Sequence, residues 1–234
     1  MTPTGRKPDE GERYRTILET AARLICERGY EGTSMQEIAA ACRMTKAGLY
    51  HHIQNKEQLL FAIMNYGMDV FEEQVLAPVQ DVVDPVERLR LCMRNNIHLV
   101  TSGRSKEVII ILHEHATLTG EAREFIDRRK KRYVRFLEGA FADAIAQGLL
   151  PGVDPTVAAF SFLGMVLWVY KWFKPDGRLT EEQIADGMVA MILPGVSAGA
   201  APRAASPVTP TTSDATEPAP LRMVPRAASG EEPQ

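Results

Sequence analysis

Little in this sequence points to a catalyst or a metal protein. Three cysteines occur in 234 residues. Cys26, Cys42 and Cys92 show none of the ligand spacings of a zinc site. All three fall at apolar helical positions, which predicts reduced, buried thiols rather than a disulfide scaffold. Net charge is also small, −3 from 27 Lys and Arg against 30 Asp and Glu, so bulk charge does not announce a nucleic-acid binder. Even residues 1–58 are nearly balanced, with nine basic side chains against eight acidic ones. The apolar stretch 157–170 would extend only ~21 Å as a helix, short of the ~30 Å hydrocarbon core of a bilayer. The first ten residues are polar and contain proline, unlike a secretory leader, so a cytoplasmic protein without a membrane partner is expected. There is no HExxH pattern, no Gly-rich phosphate loop and no paired nucleophile and base. The chain is therefore expected not to be an enzyme and to carry no cofactor and no metal.

What the chain does contain is organised around residues 34–53. Ser34 and Glu37 have the spacing of a capping box, so a short helix is expected to start there. Ile38 and Cys42 share one face of it, and Ala39 is small enough to let a second helix cross closely. Arg43 and Met44 carry a turn. Thr45 caps the second helix, in which Leu49 and Ile53 point inward. Thr45, Lys46, Ala47, Tyr50 and His51 are left on a polar, donor-rich outer face, as a helix in a DNA major groove requires.

Glu37-Ile38-Ala39, Thr45 through Ile53, Asn55-Lys56-Glu57 and Leu59-Leu60 together resemble the DNA-binding domain of tetracycline-repressor (TetR) family regulators. The resemblance covers about residues 12–60. It implies an all-α fold: an N-terminal three-helix helix-turn-helix DNA-binding domain and a helical ligand-binding and dimerisation domain. The candidate DNA contacts are Thr33, Ser34, Arg43, Thr45, Lys46, Ala47, Gly48, Tyr50, His51 and Lys56. Lys46 can reach a phosphate or a guanine edge. Lys56 stands in the first turn of a helix whose free N–H groups also suit an anion. The family usually has Gly where this chain has Arg43. Three readings are open for Arg43: a left-handed turn that strains it, a turn built differently, or an extra phosphate contact.

The rest of the chain reads as helices in series. Residues 1–11 are expected to be a loose arm. Residues 12–58 form the DNA-binding domain, with a first helix from Glu12 to Arg28 whose inward stripe includes Tyr14, Ile17, Leu18, Ala21, Leu24 and Ile25. Residues 59–194 form the ligand-binding and dimerisation domain. Asn55 caps a long helix, with Gln58 as its reciprocal partner, that ends at Pro78. Asp84-Pro85 and Asp154-Pro155 open two more helices, the first of them closing at Gly103. Residues 108–115 are short and very apolar: a buried helix is expected, although Val-Ile-Ile-Ile alone would also suit a strand. Another helix runs from Glu121 to Gln147, with Phe125 among its inward residues. The stretch 157–170 is apolar on every side and so needs a second chain. Thr180 and Gln183 cap a last helix, with Ile184, Met188, Met191 and Ile192 inward. Val166 and Met188 are taken as dimer-interface positions. Residues 195–234 hold seven of the fifteen prolines and no aromatic, and are expected to be a disordered tail.

His113 and His115 lie about 200° apart around a helix, so they cannot share a metal. Arg129 falls on the inward face of its helix, and a buried Arg must be paired. Either an internal carboxylate such as Glu114 or an anionic ligand could supply the partner. Gly164-Met165, Trp168 through Phe173, Pro175 through Leu179 and Ile184-Ala185-Asp186 are similar to the C-terminal domain of a TetR subgroup that senses acyl-CoA thioesters from fatty-acid or steroid breakdown. This implies an effector pocket lined by Cys92, Met93, His113, Arg129, Tyr133, Phe136, Phe160, Met165 and Trp168. Arg129, Arg132 and Lys171 would stand at its mouth for the CoA phosphates. The expected protein is a homodimeric regulator, a repressor, binding palindromic operator DNA and released by an effector such as an acyl-CoA. The alternatives are a TetR-type sensor of a drug-like aromatic or cationic compound, and a small helical enzyme.

Overall fold

The structure is a computed structural model that describes residues 10–102, 106–150 and 152–193. The arm before residue 10, the expected helix stop at Gly103 and the expected tail lie outside the described residues. Every long element described is a helix: α1 (Glu10–Arg28), α2 (Met35–Ala41), α3 (Lys46–His52), α4 (Lys56–Phe71), α5 (Pro85–Thr101), α6 (Lys106–His113), α7 (Gly120–Ala146), α8 (Pro155–Trp172) and α9 (Glu181–Ile192). The Val-Ile-Ile-Ile run is helical in α6, as its helical surroundings favour.

Local chemistry sets most of the boundaries. Ser34 Oγ accepts from Glu37 N at 3.2 Å, and Glu37 Oε2 accepts from Ser34 N at 2.8 Å, closing the capping box of α2. Thr180 and Gln183 repeat it at α9. Asp84 and Asp154 each accept two first-turn N–H groups, with Pro85 and Pro155 in the position that lacks one. At α4, Asn55 Oδ1 accepts from Gln58 N at 2.7 Å, but the Gln58 amide oxygen accepts from Gln54 N, one residue earlier than a capping box places it. α4 does not run unbroken to Pro78. It passes into a π-helical turn at Glu72–Leu76 and a 3₁₀ turn at Ala77–Val79.

Two buried clusters hold these helices. One gathers Ile17, Leu18, Ile25, Ile38, Leu49, Ile53, Leu59, Leu60, Ile63 and Met64, and takes in Ile110, Ile111, Leu118 and Ile126 from farther along the chain. α6 therefore packs into the core of the helix-turn-helix unit. A Cβ on Gly67 of α4 would lie 2.9 Å from the carbonyl carbon of Glu107 in α6, so only glycine permits this crossing. The other cluster is built from α5, α7, α8 and α9 around Leu89, Met93, Phe141, Phe162 and Val166. Phe71, at the end of α4, packs against both.

Several expected inward positions face outward. Tyr14 is 37% exposed, Phe125 40% and Met191 76%. Phe125 instead leans edge-on against Phe61 at 5.8 Å. Val166 is fully buried, so it is a core residue and not an interface position. Of the three cysteines only Cys92 is buried. Cys26 lies on an exposed face of α1, with its sulfur turned onto the Lys106 carbonyl at 3.6 Å.

Candidate nucleic-acid interface and effector pocket

α2 and α3 are joined by a turn in which Arg43 has φ +54°. Of the readings open for Arg43, the left-handed turn is therefore realised, by a residue with a Cβ. Thr45 Oγ1 then accepts from Gly48 N at 3.0 Å. A Cβ on Gly48 would sit 3.2 Å from that same oxygen, which favours glycine in the first turn of α3. Leu49 and Ile53 are buried beneath the helix, while Thr45, Lys46, Ala47, Tyr50 and His51 are exposed on one side of it. Lys46 Nζ lies 5.8 Å from the centre of the Tyr50 ring, which keeps the cation over the outer face. Ser34 is exposed at the start of α2, its hydroxyl held by Glu37 Oε2 at 2.7 Å. Lys56 is more constrained than expected. Its Nζ sits 4.1 Å from the Tyr30 ring centre and 3.9 Å from Glu31.

Thr33 is the exception among the expected DNA contacts. It is 1% exposed, and its hydroxyl donates to the Gly29 carbonyl at 2.9 Å. A buried hydroxyl bonded to its own turn supports the loop and does not reach DNA.

The expected effector lining divides into three groups. Cys92, Met93 and Tyr133 are packed in the core, with Phe136 and Met165 partly buried against them. Burial pushes the Cys92 thiol up to about 12, so it is no nucleophile at neutral pH. Phe160 and Trp168 are 57% and 62% exposed, so they belong to the outer face of α8 rather than to a pocket wall. His113 is hydrogen-bonded to the Tyr170 hydroxyl. His115 lies 2.8 Å from Asp127, so the two histidines diverge.

Arg129 is paired, but not with Glu114. Its Nε is 3.0 Å from Glu72 Oε1 and its Nη2 is 2.7 Å from Asp69 Oδ1. Nη1 donates to the Asn65 carbonyl and side-chain oxygens at 3.0 and 2.6 Å. Arg132 shares Glu72. Desolvation alone would lower the Arg129 pKa, but the ion pairs with Glu72 and Asp69 outweigh it and raise it. Burial would raise the Glu72 carboxyl, yet hydrogen bonds from Arg129 and Arg132 bring it below its usual value of 4.5. These side chains, with Phe125 and Arg128, line a cleft of about 400 Å³ between α4 and α7.

Two features of the helical domain were not singled out from the sequence as site residues. Asn96 is 2% exposed in an otherwise apolar stripe, and its Nδ2 donates to the Tyr133 hydroxyl and to the Cys92 carbonyl, both at 2.7 Å. A polar residue in an apolar stripe was the available signal. The Asp69 and Glu72 partners had none, because nothing local ties α4 to α7.

The packed turn, the exposed face of α3 and the second helical cluster define a helix-turn-helix DNA-binding regulator with an effector domain. Two family patterns match the chain: "Bacterial regulatory proteins, tetR family" over residues 17–63, and "Tetracyclin repressor-like, C-terminal domain" over residues 82–196. The chain belongs to the TetR family. It is 82% identical to AibR in its crystal structure with isovaleryl coenzyme A and operator DNA, covering 78% of this chain and 98% of that one at a TM-score of 0.75. The TetR family regulator PfmR from Thermus thermophilus is 31% identical over 77% of this chain and 98% of its own, at a TM-score of 0.69. The transcriptional repressor KstR2 of Mycobacterium tuberculosis is 25% identical over 184 residues, 77% of this chain and 91% of that protein. No helix among the described residues is long and apolar enough to cross a membrane.

Proposed function

We propose that this protein is an acyl-CoA-responsive transcriptional repressor that binds palindromic operator DNA as a homodimer and is released by a short-chain thioester. The observation that carries this reading is the 82% identity to AibR, crystallised with isovaleryl coenzyme A and operator DNA. Each subunit presents α3 to a major groove, with Lys46, Tyr50 and His51 outward and Thr45, Ala47 and Gly48 at the helix start, close to the backbone. Arg43, Ser34 and Lys56 flank it as phosphate contacts. The acyl group enters among Cys92, Met93, Tyr133, Phe136 and Met165, where the Tyr133 hydroxyl, positioned by the Asn96 amide that donates to it, is the donor for a thioester carbonyl. Because Arg129 is fully engaged, the CoA phosphates fall to the more exposed Arg132 and Arg128 at the α4–α7 cleft and to Lys171. This is a cytoplasmic regulator without turnover.

The test is to titrate the labelled operator complex with isovaleryl-CoA, free isovaleric acid and free CoA, following anisotropy. The thioester is expected to dissociate the complex at micromolar concentration and the acid far less effectively, because charge-assisted contacts to phosphate are about twice as strong as neutral hydrogen bonds. Equal action of acid and thioester, or no action by either, would sink the acyl-CoA reading and favour a drug-like effector.

A further inference from the structure

Glu107 stands in the first turn of α6 and is only 3% exposed. Among the described residues no cation pairs with its carboxylate. Burial pushes its pKa up and the like charge of Glu19 adds to this, against the opposing effects of a hydrogen bond from its own backbone N–H and of the Lys106 charge. The tight crossing at Gly67 fixes the α6 backbone against α4, so the side chain cannot escape by a small helix shift. A buried carboxylate without a counter-charge is costly and takes up either a proton or a cation.

Beside it lies a cavity of about 250 Å³, lined with Glu107 by Glu19, Tyr66, Gln74, His98 and Ser102. Its walls come from α1, α4, the π-helical turn, α5 and α6. The lining is rich in acceptors, and the hydroxyl donors of Tyr66 and Ser102 are committed to other oxygens. The Tyr66 hydroxyl donates to Glu19 at 3.4 Å. The Ser102 hydroxyl donates to the Leu99 carbonyl at 3.2 Å, which leaves its lone pairs free. His98 Nδ1 is engaged with Glu181 at 2.9 Å.

We propose that this cavity binds a compact organic cation, with a primary ammonium group seated between the Glu107 and Glu19 carboxylates. Three N–H donors match the acceptors that face the space. Val70 offers an apolar wall for a short alkyl chain. The space corresponds to about eight waters at ~30 Å³ each, enough for an amine of a few carbons. Among the described residues no group of three His, Cys, Asp or Glu side chains is placed to hold a metal ion, which favours ammonium over a divalent metal. Occupancy would link Glu19 on α1 to Glu107 on α6.

The experiment uses the full chain at neutral pH. Its thermal midpoint is measured against methylammonium chloride, with sodium chloride and tetramethylammonium chloride at equal ionic strength. Methylammonium is expected to raise the midpoint saturably, while the two control salts do not. Glu107→Gln keeps the shape and removes the charge, so it should weaken the apparent affinity about tenfold or more, the scale of a lost charge-assisted hydrogen bond. Glu19→Gln, at an exposed position, should fold normally and also weaken the response, which decides the matter if the first variant is unstable. Equal response to all three salts, or an unchanged methylammonium response in Glu19→Gln, overturns the site. So does a wild-type protein that responds to pH alone, with a proton as the only occupant of Glu107.

Discussion

At Arg43 a single side chain is asked to satisfy two opposing demands. Its φ of +54° lies in the left-handed region, which costs a residue with a Cβ roughly 1–2 kcal/mol. Arg43→Gly should therefore raise the unfolding free energy by up to about 1 kcal/mol, because the extra freedom of glycine in the unfolded chain cancels part of the gain. Denaturant melts check this, and a destabilised variant would show that Arg43 makes stabilising contacts through its stem. If the guanidinium also touches a phosphate, the same variant loses operator affinity and its log–log salt slope falls by about one unit. Stability and DNA binding would then move in opposite directions. How well a residue could be read from sequence follows from the distance to its partner. Ser34, Thr45, Asn55, Asp84, Asp154 and Thr180 cap helices through bonds to neighbours two or three residues on, so spacing suffices. Thr33 misled because its hydroxyl turns back to Gly29 and Leu24, a choice made by the fold of the loop.

At the scale of elements, the junction of α4 and α7 is where the two clusters meet. Its inward Arg was readable from the position of residue 129 on its helix. Its partners were not, because Asn65, Asp69 and Glu72 are more than fifty residues away. The Arg129 side chain is 12% exposed, against 57% for Asp69 and 28% for Glu72. Removing one partner of a fully buried pair costs about 3–5 kcal/mol. The solvent reaching both carboxylates reduces this, so Arg129→Ala should lose roughly 1–3 kcal/mol. It should also alter operator affinity, since the clamp fixes the end of α4 that continues from the DNA-binding unit. The pH dependence has a definite sign. The folded pKa of Glu72 lies below 4.5, so its contribution is complete above that value and is lost as pH falls through the lowered folded value. Acid titration of the thermal midpoint should show that loss in the wild type and a smaller one in Arg129→Ala. Identical acid profiles would mean that the clamp adds no stability.

For the whole molecule, the open question in the sequence was which face of the uniformly apolar α8 met a second chain. A helix that is apolar all round carries no periodic signal, so its sequence does not separate the interface face from the core face, and Val166 lies in the core. The structure distinguishes the faces by exposure. Val157, Phe160, Trp168 and Trp172 are 57%, 57%, 62% and 44% exposed, and Met191 of α9 is 76% exposed. Phe160, Gly164, Trp168 and Trp172 recur at four-residue spacing on one side, and nothing lies within 4 Å of a Cβ placed on Gly164. An exposed apolar patch of this kind suits a two-fold interface, in which each subunit presents the same face to the other. Phe160→Glu and Trp168→Glu should each leave the helical signal and monomer packing near native, because the native side chains already face solvent in the single subunit. Placed against its own copy, the new carboxylate would be desolvated beside a like charge, so sedimentation should report a monomer. Operator affinity should fall steeply with it, because one recognition helix then engages one half-site alone. Val166→Glu serves as the contrast: burying a charge in the core should unfold the subunit itself and erase the cooperative melt. A folded, dimeric Trp168→Glu protein would place the interface on another face.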